Sequence, residues 1–185
     1  MLKLKFKHSI NSKDLSINYQ IDADKVLIEV NETLILYLKE KNCCYRVNSL
    51  FNTLTHIDYN KSLAQINHFK EQVGDIVFKN ANLNYQENIQ TRKTFSNTNE
   101  LLKVQGEFEI TKIQGLDSTA YNSFYKFDRQ QQLIDIPLED DEIICKLKSE
   151  INMQQSIQIQ ILELISYETG YENTLNEYSN YSIIN

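Results

Sequence analysis

Apolar and polar residues alternate at period two along most of this 185-residue chain, which restricts the fold to strands with one buried and one wet face. Leu2, Leu4 and Phe6 share one face of a first strand, and Leu15, Ile17, Tyr19 and Ile21 share one face of a second. Residues 26–38 form two strands, or one long strand broken near Asn31, and Cys43, Tyr45 and Val47 continue the pattern. Strand character returns from Asp75 to Phe78 and again at Leu102, Val104, Gly106, Phe108 and Ile110. Gly106, on the apolar face of that strand, predicts a bulge or a close backbone approach. The strongest local signal is a hairpin: Ile143, Cys145 and Leu147, a turn at 152–155, then an arm running to about Tyr167. Its alternation predicts Ile159 and Ile161 in the core, with Gln158 and Gln160 facing water or a partner.

The period changes once. Ser62 and Gln65 have capping-box spacing, Leu63, Ile66 and Val73 follow at near-helical intervals, and Gly74 can close the last turn. One helix is therefore predicted at about 62–73. Residues 86–99 show no period and are predicted to be a long loop.

This order predicts a mainly β fold: an antiparallel β-sandwich or a partly open β-barrel with one helix. The alternative is an OB-like barrel with an extra C-terminal hairpin, a parallel of topology alone. Only 1 Pro and 4 Gly leave little material for a hinge. Residues 1–168 are expected to form a single domain, and 169–185 a polar, acidic, tyrosine-rich C-terminal segment.

Charge is unevenly placed. The net charge is −6, yet no Lys or Arg follows Lys148, whereas Glu150, Glu163, Glu168, Glu172 and Glu177 do. The first strand instead carries Lys3, Lys5 and Lys7. No apolar run is long enough to span a membrane, and the N-terminus lacks the apolar stretch of a signal peptide, so no membrane contact is expected. The odd set Cys43, Cys44 and Cys145 suggests reduced thiols and an intracellular, cytoplasmic or nuclear location.

Catalytic signatures are missing. Adjacent cysteines, with His56 and His68 twelve positions apart, lack zinc-ligand spacing, so neither metal nor cofactor is expected. Asp22 with Asp24, and the run from Glu139 to Glu142, could hold Mg²⁺ for a carboxylate-metal hydrolase, but such runs are more often solvated turns. A Cys43 or Cys44 nucleophile would need a histidine partner within reach.

Tyr121, Phe124, Tyr125 and Phe127, interleaved with Lys126 and Arg129, form the densest aromatic and basic cluster. Such a cluster suits core packing, a protein interface or stacked bases. The expected function is a non-catalytic protein-interaction module, such as an assembly subunit, inhibitor or immunity-type protein, that binds a basic protein surface. Its partner-binding residues are expected to be Tyr121, Phe124, Tyr125, Arg129, Glu168, Tyr171, Glu172, Glu177 and Tyr178. The alternative, an OB-like subunit of a nucleic-acid-associated complex, is disfavoured by the acidic charge.

Overall fold

A computed structural model of the chain describes residues 2–81, 91–97, 99, 102–113, 124–125, 127–128, 134–139, 142–153, 156–170 and 175–184, apart from the Lys61 side chain. The fold is mainly β. Among the described residues twelve strands form one sheet, not closed into a barrel, in the order β12-β6-β5-β4-β3-β2-β1-β11-β10-β9-β8-β7, with one α-helix longer than a single turn. The strands are β1 (Leu2–Ile10), β2 (Lys13–Ile21), β3 (Lys25–Val30), β4 (Thr33–Leu38), β5 (Cys43–Asn48), β6 (Thr53–His56), β7 (Ile76–Asn80), β8 (Thr91–Asn97), β9 (Leu102–Lys112), β10 (Glu142–Met153), β11 (Ser156–Thr169) and β12 (Ser182–Ile184). Helix α1 (Asn60–Val73) lies between β6 and β7. Neighbouring strands pair antiparallel except β12, which runs parallel to β6.

The inner face of the sheet carries two cores. One gathers Leu2, Leu4 and Phe6 with Ile21, Val26, Ile28, Tyr37 and Cys44 beneath Phe124. The other gathers Phe95, Val104, Phe108, Ile110, Ile144 and Ile151 beneath Ile134, Ile136 and Val73. A third core lies on the outer face of β3 to β6, where Leu27, Leu36, Tyr45, Val47 and Leu54 meet Leu175 and Tyr178. Residues 175–184 thus cover the back of β3 to β6 and end as the edge strand of the sheet. The turn that splits residues 26–38 has Asn31 at φ 54°, a left-handed conformation that asparagine tolerates.

Gly106 is a site of close approach. A Cβ there would lie 2.6 Å from Cζ of Phe95 and would collide with the Lys148 carbonyl oxygen. Gly74, at φ 69°, closes α1 by donating its N–H to the Lys70 carbonyl at 3.0 Å.

Three expectations need correction. The helix begins at Asn60, not at Ser62; Asp58 Oδ1 accepts the Asn60 N–H at 2.9 Å, so Ser62 lies within the first turn. Residues 91–97, expected within a loop, form β8. Its Phe95 packs on Phe78 and Phe108, and Arg92 pairs with Glu107 on β9 at 2.7 Å, so contacts distant in sequence make the strand. The faces of β11 are also exchanged. Ile159 is 40% exposed, whereas Gln160 lines an inner cavity and Leu162 and Leu164 pack on the inner core. The cause is parity: Leu162 and Leu164 share a face with Gln158 and Gln160, and they bring that face inward.

Candidate functional site

Four central strands build the floor of a cavity of about 400 Å³. From β1 come Phe6 and His8, from β2 Ile17 and Tyr19, and from β11 Gln160 and Leu162. On β10 the register shifts between Ile144 and Lys146, leaving Cys145 as the bulged residue. That extra residue lets Ile144 and Leu147, three apart, line the same cavity as Ser149 and Ile151. The Cys145 thiol donates to the Glu109 carbonyl at 3.3 Å.

The roof is built from described residues between β9 and β10: Phe124, Tyr125 and Asp128, on helical backbone, and Ile134 and Ile136. The Tyr125 hydroxyl donates to the Ile136 carbonyl at 3.1 Å and ties these two pieces together. Phe124 packs against the rings of Tyr19 and Tyr37 at 5.9 and 5.5 Å. Ser149, 1% exposed, is the buried polar side chain of the floor.

Burial sets the electrostatics. It pushes the His8 pKa below its ordinary value, so the imidazole is neutral at pH 7. It pushes the Tyr19 phenol above its usual range, with the charge of Asp128 adding to the shift. The wall is mostly hydrocarbon, marked by a neutral histidine, an amide, one carboxyl group and the hydroxyls of Ser149, Tyr19 and Tyr125. Such a surface binds by exclusion of water and a few hydrogen bonds.

The other chemistry-bearing candidates lie apart. Burial pushes the Cys44 thiol up to about 12, which removes its nucleophilic form at neutral pH. His56 meets the Tyr45 ring edge-on, and His68 sits on exposed α1 beside Gln72. Asp24 faces Lys25 at 4.0 Å, and Glu139 pairs with Lys112 at 3.2 Å while its N–H donates to Glu142. Among the described residues no three His, Cys, Asp or Glu side chains converge as metal ligands.

The expected partner-contact residues are dispersed. Phe124 is core, and Tyr125 borders the cavity. Glu168 lies exposed on β11 opposite Lys3 of β1, and Glu163 lies opposite Lys7. The basic first strand and an acidic late strand are thus direct neighbours. Tyr178 is buried in the outer core with its ring 5.2 Å from Tyr181, and Glu177 is exposed beside it. Tyr121, Arg129, Tyr171 and Glu172 lie outside the described residues. His8, Ser149 and Gln160 did not stand out in the sequence; the one available signal was that Gln160 shares the parity of Leu162 and Leu164.

No family model and no curated protein matches the chain. A solved structure assigned as an outer membrane lipoprotein-sorting protein domain, from Vibrio parahaemolyticus, is similar at 8% identity and a TM-score of 0.36. The match covers 96% of this chain and 88% of that one. A likeness this distant carries no functional argument. The intracellular location expected from the cysteines is withdrawn, because reduced thiols do not report the compartment here. Thiols pushed up to about 12 at Cys44 and about 11 at Cys145 resist oxidation in any compartment. No helix among the described residues is long and apolar enough to cross a membrane.

Proposed function

We propose that this chain is a non-catalytic binding protein that holds a small apolar ligand, or one apolar chain segment, between the sheet and the residues that roof it, Phe124, Tyr125, Asp128, Ile134 and Ile136. The observation that carries this reading is the cavity of about 400 Å³, walled by Phe6, Tyr19, Ile144, Leu147 and Leu162 and bearing few polar groups. Ligand pockets span roughly 300–1,000 Å³ and share this composition, apolar walls with a few placed hydrogen-bonding groups. The volume favours a slender or compact ligand. His8 and Gln160 offer hydrogen bonds to a neutral polar end, and Ser149 offers one from the floor. A basic protein partner would have to use the exposed carboxylates Glu168 and Glu177, and no contact favours it over the cavity.

The test is titration with a naphthalene-sulfonate dye, alongside native mass spectrometry of protein from its natural source. Saturable binding of one dye per chain is expected, and Leu162→Trp should abolish it while leaving the melting temperature unchanged or higher. Binding that ignores Leu162→Trp, or no binding at all, would overturn the reading.

A further inference from the structure

The two most exposed large apolar side chains in the described structure are neighbours. Leu50 is 90% exposed and Phe51 is 75% exposed, at the apex of the turn joining β5 to β6. The apex is held in shape. Asn48 Oδ1 accepts the Phe51 N–H at 3.4 Å, Asn52 takes φ 50°, and the Asn52 carbonyl accepts the Ser182 N–H from the C-terminal edge at 3.0 Å. Folding therefore presents these two side chains to the surroundings instead of burying them.

Low local charge marks the apex along with its high exposure. Residues 47–57 contain no Asp, Glu, Lys or Arg, and neither do residues 178–185, although 24% of the chain is charged. β12, beside β6, adds Ile183 and Ile184, 41% and 48% exposed, but Ile183 borders Asp24, Lys25, Glu40 and Lys41, so the uncharged surface is the apex itself. On β11 the exposed Ile159 faces Glu150 across the ladder, while Ile157 faces Asn152. Asn48, Ser49, Asn52 and Thr53 supply neutral polar flanks around the apolar apex.

We propose that this hairpin tip docks on the interface of a zwitterionic lipid bilayer, with Leu50 and Phe51 entering the acyl boundary and the neutral flanks staying among the headgroups. Carbon-rich side chains prefer the acyl boundary, and uncharged polar groups tolerate the headgroup layer. A net charge of −6 opposes an anionic surface and leaves a zwitterionic one accessible. No spanning segment is needed for such contact, so the lack of one in the sequence does not bear on it. Two side chains bury less hydrocarbon than a myristoyl chain, so the association constant should fall below ~10⁴ M⁻¹ and binding should be transient. The tip is separated from the cavity floor by β4 and β3, so the two sites act independently.

The chain has no Trp, so Phe51→Trp places a single indole reporter at the apex. Titration with phosphatidylcholine vesicles to millimolar lipid should shift its emission to the blue and should float the wild-type chain with the vesicles. Leu50→Ser in the Phe51→Trp background should weaken the response by about tenfold or more. Dye binding in the cavity should stay unchanged in both variants, which separates failure here from failure of the cavity reading. An unshifted emission with no flotation of the wild type overturns the proposal. So does a blue shift without vesicles that tracks a rise in sedimentation coefficient, since the tip would then pack on a second copy of the chain.

Discussion

Strands β3 to β5 are covered on both faces, whereas β10 and β11 are covered on one. In the first region Tyr37 and Val26 point into the inner core, while Leu36 and Leu27 point into the outer core under Leu175 and Tyr178. In the second region Leu162 and Leu164 pack inward, and Ile157, 55% exposed, stands bare on the back of the sheet with Ile159. The difference comes from a short C-terminal segment that reaches only one half of the sheet. Coverage of a β-sheet is thus decided by what crosses it, and apolar character in a strand does not by itself mean burial.

The largest expected effect tests that contrast directly. Leu175→Ala, in the fully enclosed outer core, should cost about 2–5 kcal/mol in urea denaturation, as large-to-small core changes do. Ile159→Ala should stay within about 0.5 kcal/mol, as surface changes do. Comparable costs at the two sites would mean that the back of β11 is covered in solution and would erase the difference between the regions.

Next in size is a substitution inside the singly covered half. Gly106→Ala should destabilise by about 1–3 kcal/mol, because the added methyl meets the Lys148 carbonyl and the Phe95 ring. Phe95→Leu should recover part of that loss in the double variant, whereas the backbone carbonyl cannot move away. Full additivity would show that the ring does not press on the glycine.

Much of this was visible in the residues. Alternation located β1, β2, β9 and the β10–β11 hairpin, and Gly106 marked the close approach. The consecutive apolar residues Val26, Leu27 and Ile28, and again Leu34 to Leu38, also signal strands buried on both faces, which is where the outer core lies. The face of β11 was not legible from Ile157, Ile159 and Ile161 alone, since alternation defines two faces without saying which is inside. β8 stayed hidden because Thr91 to Asn97 has little apolar periodicity and gains its place from β7 and β9. The cavity is less legible still. Its floor comes from both ends of the chain and its roof from the middle, and no local pattern records such a meeting.

A smaller effect separates the two ends of the helix. The C-terminal end of α1 is anchored, with Val73 buried and its carbonyl accepting from Asn97 Nδ2 at 2.9 Å. Its first turn is mostly exposed and relies on Asp58. Asp58→Ala removes the acceptor of the Asn60 N–H and should therefore cost about 1 kcal/mol, the usual net worth of a hydrogen bond, and Ser62→Ala about 0.5 kcal/mol or less. The reverse order in thermal melts would restore Ser62 as the cap and shorten the helix.

The smallest effect distinguishes the two faces of β1. His8 faces the cavity, and burial lowers its pKa; Lys7, its neighbour, faces outward and meets Asp14 at 2.8 Å, which lowers the Asp14 pKa. A histidine whose folded pKa lies below its unfolded value, about 6.5, contributes stability above that pH. The contribution is lost as pH falls through 6.5 toward the folded value, because the unfolded chain takes up the proton first. Asp14 has the depressed carboxylate pattern, so its contribution persists until pH falls below the ordinary aspartate value, about 3.9. Between pH 7 and 5 the inner face should respond and the outer face should not. The slope attributable to His8 is a fraction of the one-proton limit, about 1.4 kcal/mol per pH unit. His8→Gln should flatten stability measured by urea denaturation across that window, and Asp14→Asn should leave the slope as it is. A slope that survives His8→Gln would show that protonating His8 costs the fold nothing, and that water reaches the imidazole from the cavity side.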